Sequence, residues 1–279
     1  MIAQFSGALT RAAAVMLLIA TPTLILPAQT QETTQIVTLI ALFSGVMILV
    51  EYASTYPSLV EFRDAPPFNR VRFMSLLVTV FLGAIVVRGQ FETTALTEFV
   101  TAIGGLIGLA MDFPWSPVRL VIEVFPEGSD VKSLELVRAL AGISYLTSLI
   151  SLSIFAVLLR LYGWPARDRT FNVWINLPTF DPTAGGDVVS RLIRDARINI
   201  LLGFALPFCI PLVMNSAAML FDPSAVSSSQ TLIWMIATWA FLPASLFMRG
   251  IAMGRIAEMI REQRRLSYER ALEDGYVPA

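Results

Sequence analysis

The chain has 279 residues, of which 56% are hydrophobic and only 15% are charged, whereas a soluble globular chain carries about 25% charged residues. Its net charge of -1 excludes a global electrostatic attraction to nucleic acid. It contains no histidine, which excludes Ser-His-Asp and Cys-His catalysis and histidine-ligated haem. Together with a mean hydropathy of +0.69, these values predict an integral membrane protein that crosses a lipid bilayer several times.

Long apolar segments predict where the chain crosses the bilayer. A membrane-spanning helix needs about 20 mostly apolar residues. Six segments meet or nearly meet this length, at residues 12–28, 33–53, 71–87, 139–159, 198–221 and 231–248. We therefore predict an all-α polytopic membrane protein, with a single transmembrane bundle in residues 1–250 and a basic cytoplasmic tail helix in residues 251–279.

The first of these segments has an alternative interpretation. Arg11, the apolar stretch after it and Ala28 resemble a signal peptide that is cleaved after Ala28. Leu26 is a poor residue for the third position before a cleavage site, and Pro22 and Pro27 interrupt the apolar stretch. We therefore expect a retained span; cleavage would leave five spans with the same orientation.

A seventh apolar segment, Ala95–Met111, is short, glycine-rich and carries Glu98. The distribution of basic residues bears on whether it crosses, because short cytoplasmic loops accumulate Arg and Lys. Six spans with a cytoplasmic amino terminus place sixteen of the twenty basic residues inside, whereas the better seven-span arrangement places thirteen there. The four that lie outside in the six-span arrangement are Arg88, Arg119, Lys132 and Arg138. We therefore predict that Ala95–Met111 is a re-entrant or interfacial helix on the outer side and that both termini are cytoplasmic.

Within this seventh segment, Gly104 and Gly108 form a G-x-x-x-G face. Small residues at this spacing let membrane helices pack closely, which is one interpretation of the motif. The other is a re-entrant helix that lines a pore or substrate cavity between Glu98 and Asp112, since acidic residues inside a membrane are costly and mark pathways.

Two later spans carry polar residues that fit the same two interpretations. Ser144 and Ser148 belong to a stripe of hydroxyl side chains at helical spacing, which can bond to neighbouring helices or line a polar cavity. Asn215 follows Pro207 and Pro211 at four-residue spacing, where the prolines free backbone carbonyls. The candidate pore or cavity residues are Glu98, Gly104, Gly108, Asp112, Ser144, Ser148 and Asn215.

Arginines outside the spans form two candidate docking sites on the cytoplasmic side. One follows Asp187, a predicted helix N-cap, and the other lies in the predicted tail helix. Basic charge beside a span sets topology and attracts anionic lipid, and it also suits docking to a protein. The candidate docking residues are Arg191, Arg194, Arg197, Arg261, Arg264 and Arg265.

The sequence holds no nucleotide-phosphate loop and no metal-binding motif, so we predict neither a cofactor nor a metal and, more generally, no enzyme. Arginine makes up nearly all of the basic residues, which is typical of GC-rich bacterial genomes and suggests a bacterial inner membrane. Our first hypothesis is a non-catalytic accessory or scaffold protein that binds the lipid bilayer and a membrane or cytoplasmic protein, but no nucleic acid. The alternatives are a small channel or transporter, which would be a homo-oligomer, and a lipid-modifying enzyme that uses Asp, Glu and Arg.

Overall fold

The computed structural model describes residues 2–27, 29–125, 130–165, 171–181, 183, 185–218 and 228–274, with side chains outside residues 2–4, 173–174 and 215–218. The described residues form helices joined by short loops. In chain order the helices are α1 (Ile2–Ile25), α2 (Gln31–Ala53), α3 (Phe68–Arg88), α4 (Ala95–Met111), α5 (Pro117–Ile122), α6 (Val131–Leu161), α7 (Val173–Asn176), α8 (Val188–Ala218) and α9 (Ser229–Glu273). Ala28, the predicted cleavage position, and residues 219–221 of the fifth predicted span lie outside the described residues.

Six of the described helices are long and apolar enough to cross a membrane, namely α1, α2, α3, α6, α8 and α9. Helix α4 is a shorter apolar helix. Large apolar side chains such as Leu39 and Phe43 on α2 are about two-thirds exposed, at 69% and 67%, as expected where lipid replaces water. The prediction of an all-helical, multi-pass membrane protein is therefore confirmed, and the chain sits in a lipid bilayer.

Contacts between α3 and α6 show that these helices run antiparallel. The rings of Phe68, at the start of α3, and Phe155, near the end of α6, lie 5.8 Å apart. Near the other end of α3, Gly83 faces Leu140 in the first half of α6. The segment from residue 89 to residue 130, which contains α4 and α5, therefore begins and ends at the same end of the bundle. We call this end the α4 end, and the opposite end, which holds residues 54–67, the arginine end.

The remaining long helices follow the same alternation. Gln230, at the start of α9, donates from Nε2 to Oγ1 of Thr23, near the end of α1, at 2.7 Å, which places both at the α4 end. Helices α8 and α9 pack antiparallel, and Trp239 donates from Nε1 to the carbonyl of Pro207 at 3.1 Å. This carbonyl lacks its usual helical donor, because Pro211 has no N–H. The indole thus satisfies the backbone group that the proline frees.

Helix α4 is continuous over its 17 residues. It begins with a capping box, in which Thr94 and Thr97 each accept a hydrogen bond from the other's backbone N–H. Gly104 and Gly108 are buried in the contact with α6. The α4 segment is therefore a regular helix packed on the outside of α6 at the α4 end, and large apolar side chains on its other face, such as Phe99, Leu106 and Leu109, are exposed.

Two apolar cores stabilise the molecule. One lies inside the bundle towards the α4 end and includes Val80 of α3, Leu140 of α6 and Ile236 of α9. The other lies at the arginine end, where Phe62 and Leu177 from the connecting segments pack against α3, α6, α8 and α9. The loops of the arginine end thus form a folded layer on the bundle.

Candidate functional site

The loop between α2 and α3 is held by a buried carboxylate at the end of α2. Glu51 accepts hydrogen bonds from the backbone N–H groups of Ser58, Leu59 and Val60 at 3.0–3.1 Å, and from Oγ of Ser58 at 2.6 Å. Hydrogen bonds to a charged acceptor are about twice as strong as neutral ones. This arrangement fixes the loop and positions the charged residues that follow it.

Arg63 ties the same loop back to α2. Its Nη1 atom donates to the carbonyls of Glu51 and Ser54 at 3.0 and 2.6 Å, and its Nε atom lies 3.3 Å from Oδ1 of the exposed Asp64. The Arg63 side chain is 5% exposed. The hydrogen-bond donors of Arg63 are therefore largely satisfied by acceptors within the protein.

Glu61 joins three parts of the chain at the arginine end. Its carboxylate makes a bidentate pair with Arg249 of α9, with Oε2 2.6 Å from Nε and Oε1 2.7 Å from Nη2. Thr179, from the segment before α8, donates to Oε1 at 2.7 Å. Burial raises the pKa of Glu61. The hydrogen bonds from Arg249 and Thr179 and the charge of Arg72 lower this pKa by more than burial raises it, so the net pKa lies below its ordinary value. Glu61 is therefore ionised at neutral pH.

Arg72, on the first turns of α3, lies beside this pair without sharing it. Its guanidinium carbon lies 4.9 Å from the ring centre of Phe68 and 5.9 Å from that of Phe241, within the range of cation–π attraction. Its Nε atom is buried and no described residue accepts a hydrogen bond from it. Arg72 therefore keeps hydrogen-bonding capacity for another acceptor.

A cavity of about 490 Å³ opens beside Arg72, among α1, α2, α3, α9 and the loop before α3. The side chain of Arg11 reaches it from α1 and stacks over the ring of Tyr52 of α2 at 4.7 Å. The polar wall consists of Arg11, Tyr52, Glu61, Arg63, Asn69, Arg70, Arg72 and Thr179. The apolar wall includes Val15, Leu18, Ile48 and Leu76. The cavity is thus basic on one side and apolar on the other.

The second half of α9 extends from the arginine end and is tied to the start of α8. Arg264 donates from Nη1 to Oδ1 of Asp187 at 2.6 Å. The other oxygen of Asp187 accepts from the backbone N–H of Ser190 at 3.0 Å, which is the predicted N-cap interaction. The hydrogen bond from Arg264, followed by that from Ser190, lowers the pKa of Asp187 to about 2. We call residues 261–273 of α9 the tail.

The Asp187 contact predicts an acid-sensitive position of the tail. Because the pKa of Asp187 is lowered, the contact should persist above about pH 4 and weaken as the pH falls towards 2. In a Cys209→Ala background, spin labels at Gly185→Cys and Leu272→Cys should give a narrow distance distribution at pH 7. Asp187→Asn should broaden it, whereas Glu269→Gln, which alters an exposed carboxylate of the tail, should not. Equal distributions in the two variants would contradict a role for Asp187.

The candidate docking arginines differ in how far the protein already uses them. Arg191 donates to the carbonyl of Asp181 at 2.7 Å and lies 4.7 Å from the ring of Phe180. Arg194 lies 3.6 Å from Asp195. Arg194 and the other four are exposed: Arg197 and Arg261 line the same groove between α8 and α9, Arg264 pairs with Asp187, and Arg265 pairs with Glu262 and Glu269.

The candidate pore residues do not come together. Glu98 and Asp112 lie at opposite ends of α4, roughly 20 Å apart along the helix axis, and Glu98 is exposed. Asp112 lies 2.7 Å from Nε of Arg119 and 2.8 Å from Nε of Arg138, so it joins the end of α4 to α5 and α6.

The other candidate pore residues lie in helix contacts. Gly104 and Gly108 face α6, and Ser144 and Ser148 are buried on α6 itself. Asn215 lies on α8, and its side chain falls outside the described residues. None of the six candidate pore residues whose side chains the structure describes lines the arginine-end cavity.

The fold and its charged end define a class, an all-helical multi-pass membrane protein with a folded polar layer at the arginine end. Comparison of the chain with protein-family profiles finds no match, and comparisons with curated proteins and with solved structures find none either. The sequence analysis considered Arg11 as part of a possible signal peptide, used Arg72 and Arg249 only to count charges, and did not single out Glu61. The one available signal was that Arg249 directly follows an apolar span.

Proposed function

We propose that the protein is a non-catalytic accessory or scaffold protein of a bacterial inner membrane, and that its tail binds an acidic and apolar surface of a cytoplasmic protein. The length of α9 carries this proposal. The helix has 45 residues and is therefore about 68 Å long, whereas the hydrocarbon core of a bilayer is about 30 Å thick. About half of the helix thus projects beyond the lipid.

The projecting half has two parts with different surroundings. Met253 and Ile256 are buried against α8 and the loops of the arginine end. From Arg261 to Glu273, in contrast, nearly every residue is exposed. The first part therefore anchors the helix, and the tail offers its surface to a partner.

One face of the tail combines charge with apolar surface. Tyr268 and Leu272 are 52% and 49% exposed, and at 100° per residue they share a face about 100° wide with Arg261, Arg264 and Arg265. Up to Arg264 this face lies towards α8, and beyond it the face continues past the first residue of α8. A partner helix with apolar and acidic side chains would complement it.

The distribution of basic residues supports the cytoplasm as the location of this face. Of the eighteen basic residues that the structure describes, the arginine end and the tail hold fourteen, and cytoplasmic segments accumulate Arg and Lys. Both termini would then be cytoplasmic. The acidic residues of the tail lie beside the arginine face rather than on it, which favours an acidic protein surface as the partner.

Photo-crosslinking in cells tests the proposal. A photoreactive amino acid at Tyr268 or Leu272 should give an adduct with one cytoplasmic protein, and the same residue at Leu39, on the lipid-facing side of α2, should not. The partner should purify with the wild type in mild detergent at fixed stoichiometry. The combined change Arg261→Glu and Arg265→Glu should reduce its yield at least tenfold.

Arg270→Glu is the matched control, because Arg270 is an exposed arginine on the opposite side of the same helix. It should leave the yield of the partner within twofold of the wild type. Recovery of the protein alone at every detergent concentration, or an equal loss in both variants, would contradict the proposal. Adducts with lipid alone would assign the tail to the membrane surface instead.

A further inference from the structure

We propose that the arginine-end cavity binds one anionic phospholipid, with the phosphate between Arg11, Arg70 and Arg72 and an acyl chain along the apolar wall. The proposal concerns a site separate from the tail and does not depend on the proposed protein partner.

The polar wall of the cavity carries an excess of positive charge. The wall holds four arginines and one glutamate, so its formal charge is positive. Both oxygens of Glu61 already accept hydrogen bonds from Arg249, and one also accepts from Thr179. Among the described residues of the wall, Glu61 is the only acidic one and already pairs with a fifth arginine, so the wall retains an excess of positive charge.

The arginines of the polar wall differ in whether their hydrogen-bond donors already have acceptors. Arg63 donates to three backbone carbonyls and to Asp64. Arg72, in contrast, has a buried Nε without a described acceptor, and a buried donor that lacks an acceptor is costly. A phosphate has several strong acceptor oxygens, and the planar guanidinium group matches its geometry. An anion of this class would satisfy Arg72.

The apolar wall of the cavity favours a lipid over a free phosphate. Val15 and Leu18 of α1, Ile48 of α2 and Leu76 of α3 also line the cavity, and they lie one to two helical turns further from the arginine end than Arg11, Tyr52 and Arg72. A soluble anion would leave this wall in contact with water, whereas an acyl chain would cover it. The volume of about 490 Å³ lies within the usual range of ligand sites.

The cavity lies where the membrane-spanning helices meet the loops of the arginine end. Arg11 lies in the third turn of α1 and stacks on Tyr52, which lies near the end of α2. Arg72 lies in the second turn of α3. These positions correspond to the border between hydrocarbon and headgroups, where Tyr and Arg side chains are favoured. Basic pockets between membrane helices on the cytoplasmic side bind anionic headgroups. The site would face the leaflet at the arginine end.

Native mass spectrometry of the full chain, released from bilayer discs, tests the proposal. The discs contain phosphatidylcholine and phosphatidylglycerol with the same acyl chains, in equal amounts. We expect one phosphatidylglycerol to be retained per chain in preference to phosphatidylcholine. Arg72→Gln and Arg11→Gln should each weaken this retention about fivefold, the effect of one arginine near a membrane surface.

Arg88→Gln provides the matched control. Arg88 lies at the opposite end of α3, and its pair with Glu92 at 2.6 Å is exposed, so the substitution makes the same change of charge far from the cavity. It should leave the retention of phosphatidylglycerol unchanged. If Arg72→Gln fails to fold, Arg11→Gln and Arg70→Gln give the same test, because both side chains are exposed.

Three results would overturn the proposal. The first is equal retention of the two lipids by the wild type, and the second is the same loss in Arg88→Gln as in the cavity variants. The third concerns the source of the anion. Inorganic phosphate added to discs of phosphatidylcholine alone should raise the melting temperature of the protein less than inclusion of phosphatidylglycerol in the discs does. An equal rise in melting temperature would assign the site to a soluble anion.

Discussion

Gly108→Ala should lower the free energy of unfolding by about 1–3 kcal/mol, the usual cost of inserting a methyl group into a close-packed contact. A Cβ at residue 108 would lie 2.6 Å from the carbonyl oxygen of Arg138 and 2.9 Å from its carbonyl carbon. Both atoms belong to the backbone, so no side-chain rotation can make room. The α4–α6 contact would have to open, which unfolding in a graded series of detergent mixtures would measure.

The same helix supplies the control for this prediction. A Cβ at Gly105 would have no neighbour within 4 Å, so Gly105→Ala should be neutral or stabilise α4 by up to about 1 kcal/mol through helix propensity. Gly142→Ala should resemble Gly108→Ala, because its Cβ would lie 2.6 Å from the Cα of Gly108. Similar stabilities for the residue 105 and residue 108 variants would show that close approach of the two backbones does not matter.

Glu61→Gln should have the largest effect at the arginine end, a loss of about 3 kcal/mol of unfolding free energy, as for the breaking of other buried ion pairs. The substitution leaves Arg249 opposite a neutral amide and beside Arg72, with two largely buried positive charges close together. In a double-mutant cycle, Arg249→Gln should cost less in the Glu61→Gln background than in the wild type. Thermal unfolding in detergent measures all four proteins.

The exposed pair of Glu262 and Arg265 in the tail, at 2.7 Å, is the matched control. Glu262→Gln should change the stability by less than about 1 kcal/mol, since exposed ion pairs contribute little.

The contribution of Glu61 to the free energy of unfolding should also depend on pH. Its pKa is lowered on folding, so its contribution is complete above about pH 4.5 and is lost as the pH falls through the lower folded value. A Glu61→Gln protein as acid-sensitive as the wild type in this range would argue against the ion pair.

The lengths of the apolar segments were sufficient to predict the bundle. Each predicted span overlaps a long helix, because a segment surrounded by lipid must satisfy its own backbone hydrogen bonds. The helix ends were less predictable. Helix α6 begins at Val131, eight residues before the predicted span, and α8 begins at Val188, ten residues before it. Hydropathy detects where a helix meets lipid but not where it continues into water.

The ion pair at the arginine end shows what a single sequence could not predict. Glu61 and Arg249 are 188 residues apart in the chain, and neither belongs to a motif. Their contact requires α3 and α9 to be neighbours, which hydropathy does not specify. The same holds for the cavity, since Arg11, Tyr52 and Arg72 come from three different helices. Asp187 was predictable as a cap because that interaction is local.

The continuity of α9 joins the tail mechanically to the bundle. From Arg249, held by Glu61, to Glu273 the helix is about 36 Å long. Because Arg264 ties it to the start of α8, this part of α9 and the start of α8 would tilt together about the arginine end. A change of about 10° in the tilt of α9 would move the end of the tail by about 6 Å, roughly one helical turn. Because helix tilt responds to the thickness of the bilayer, the lipid composition of the membrane would set where a protein bound to the tail is held.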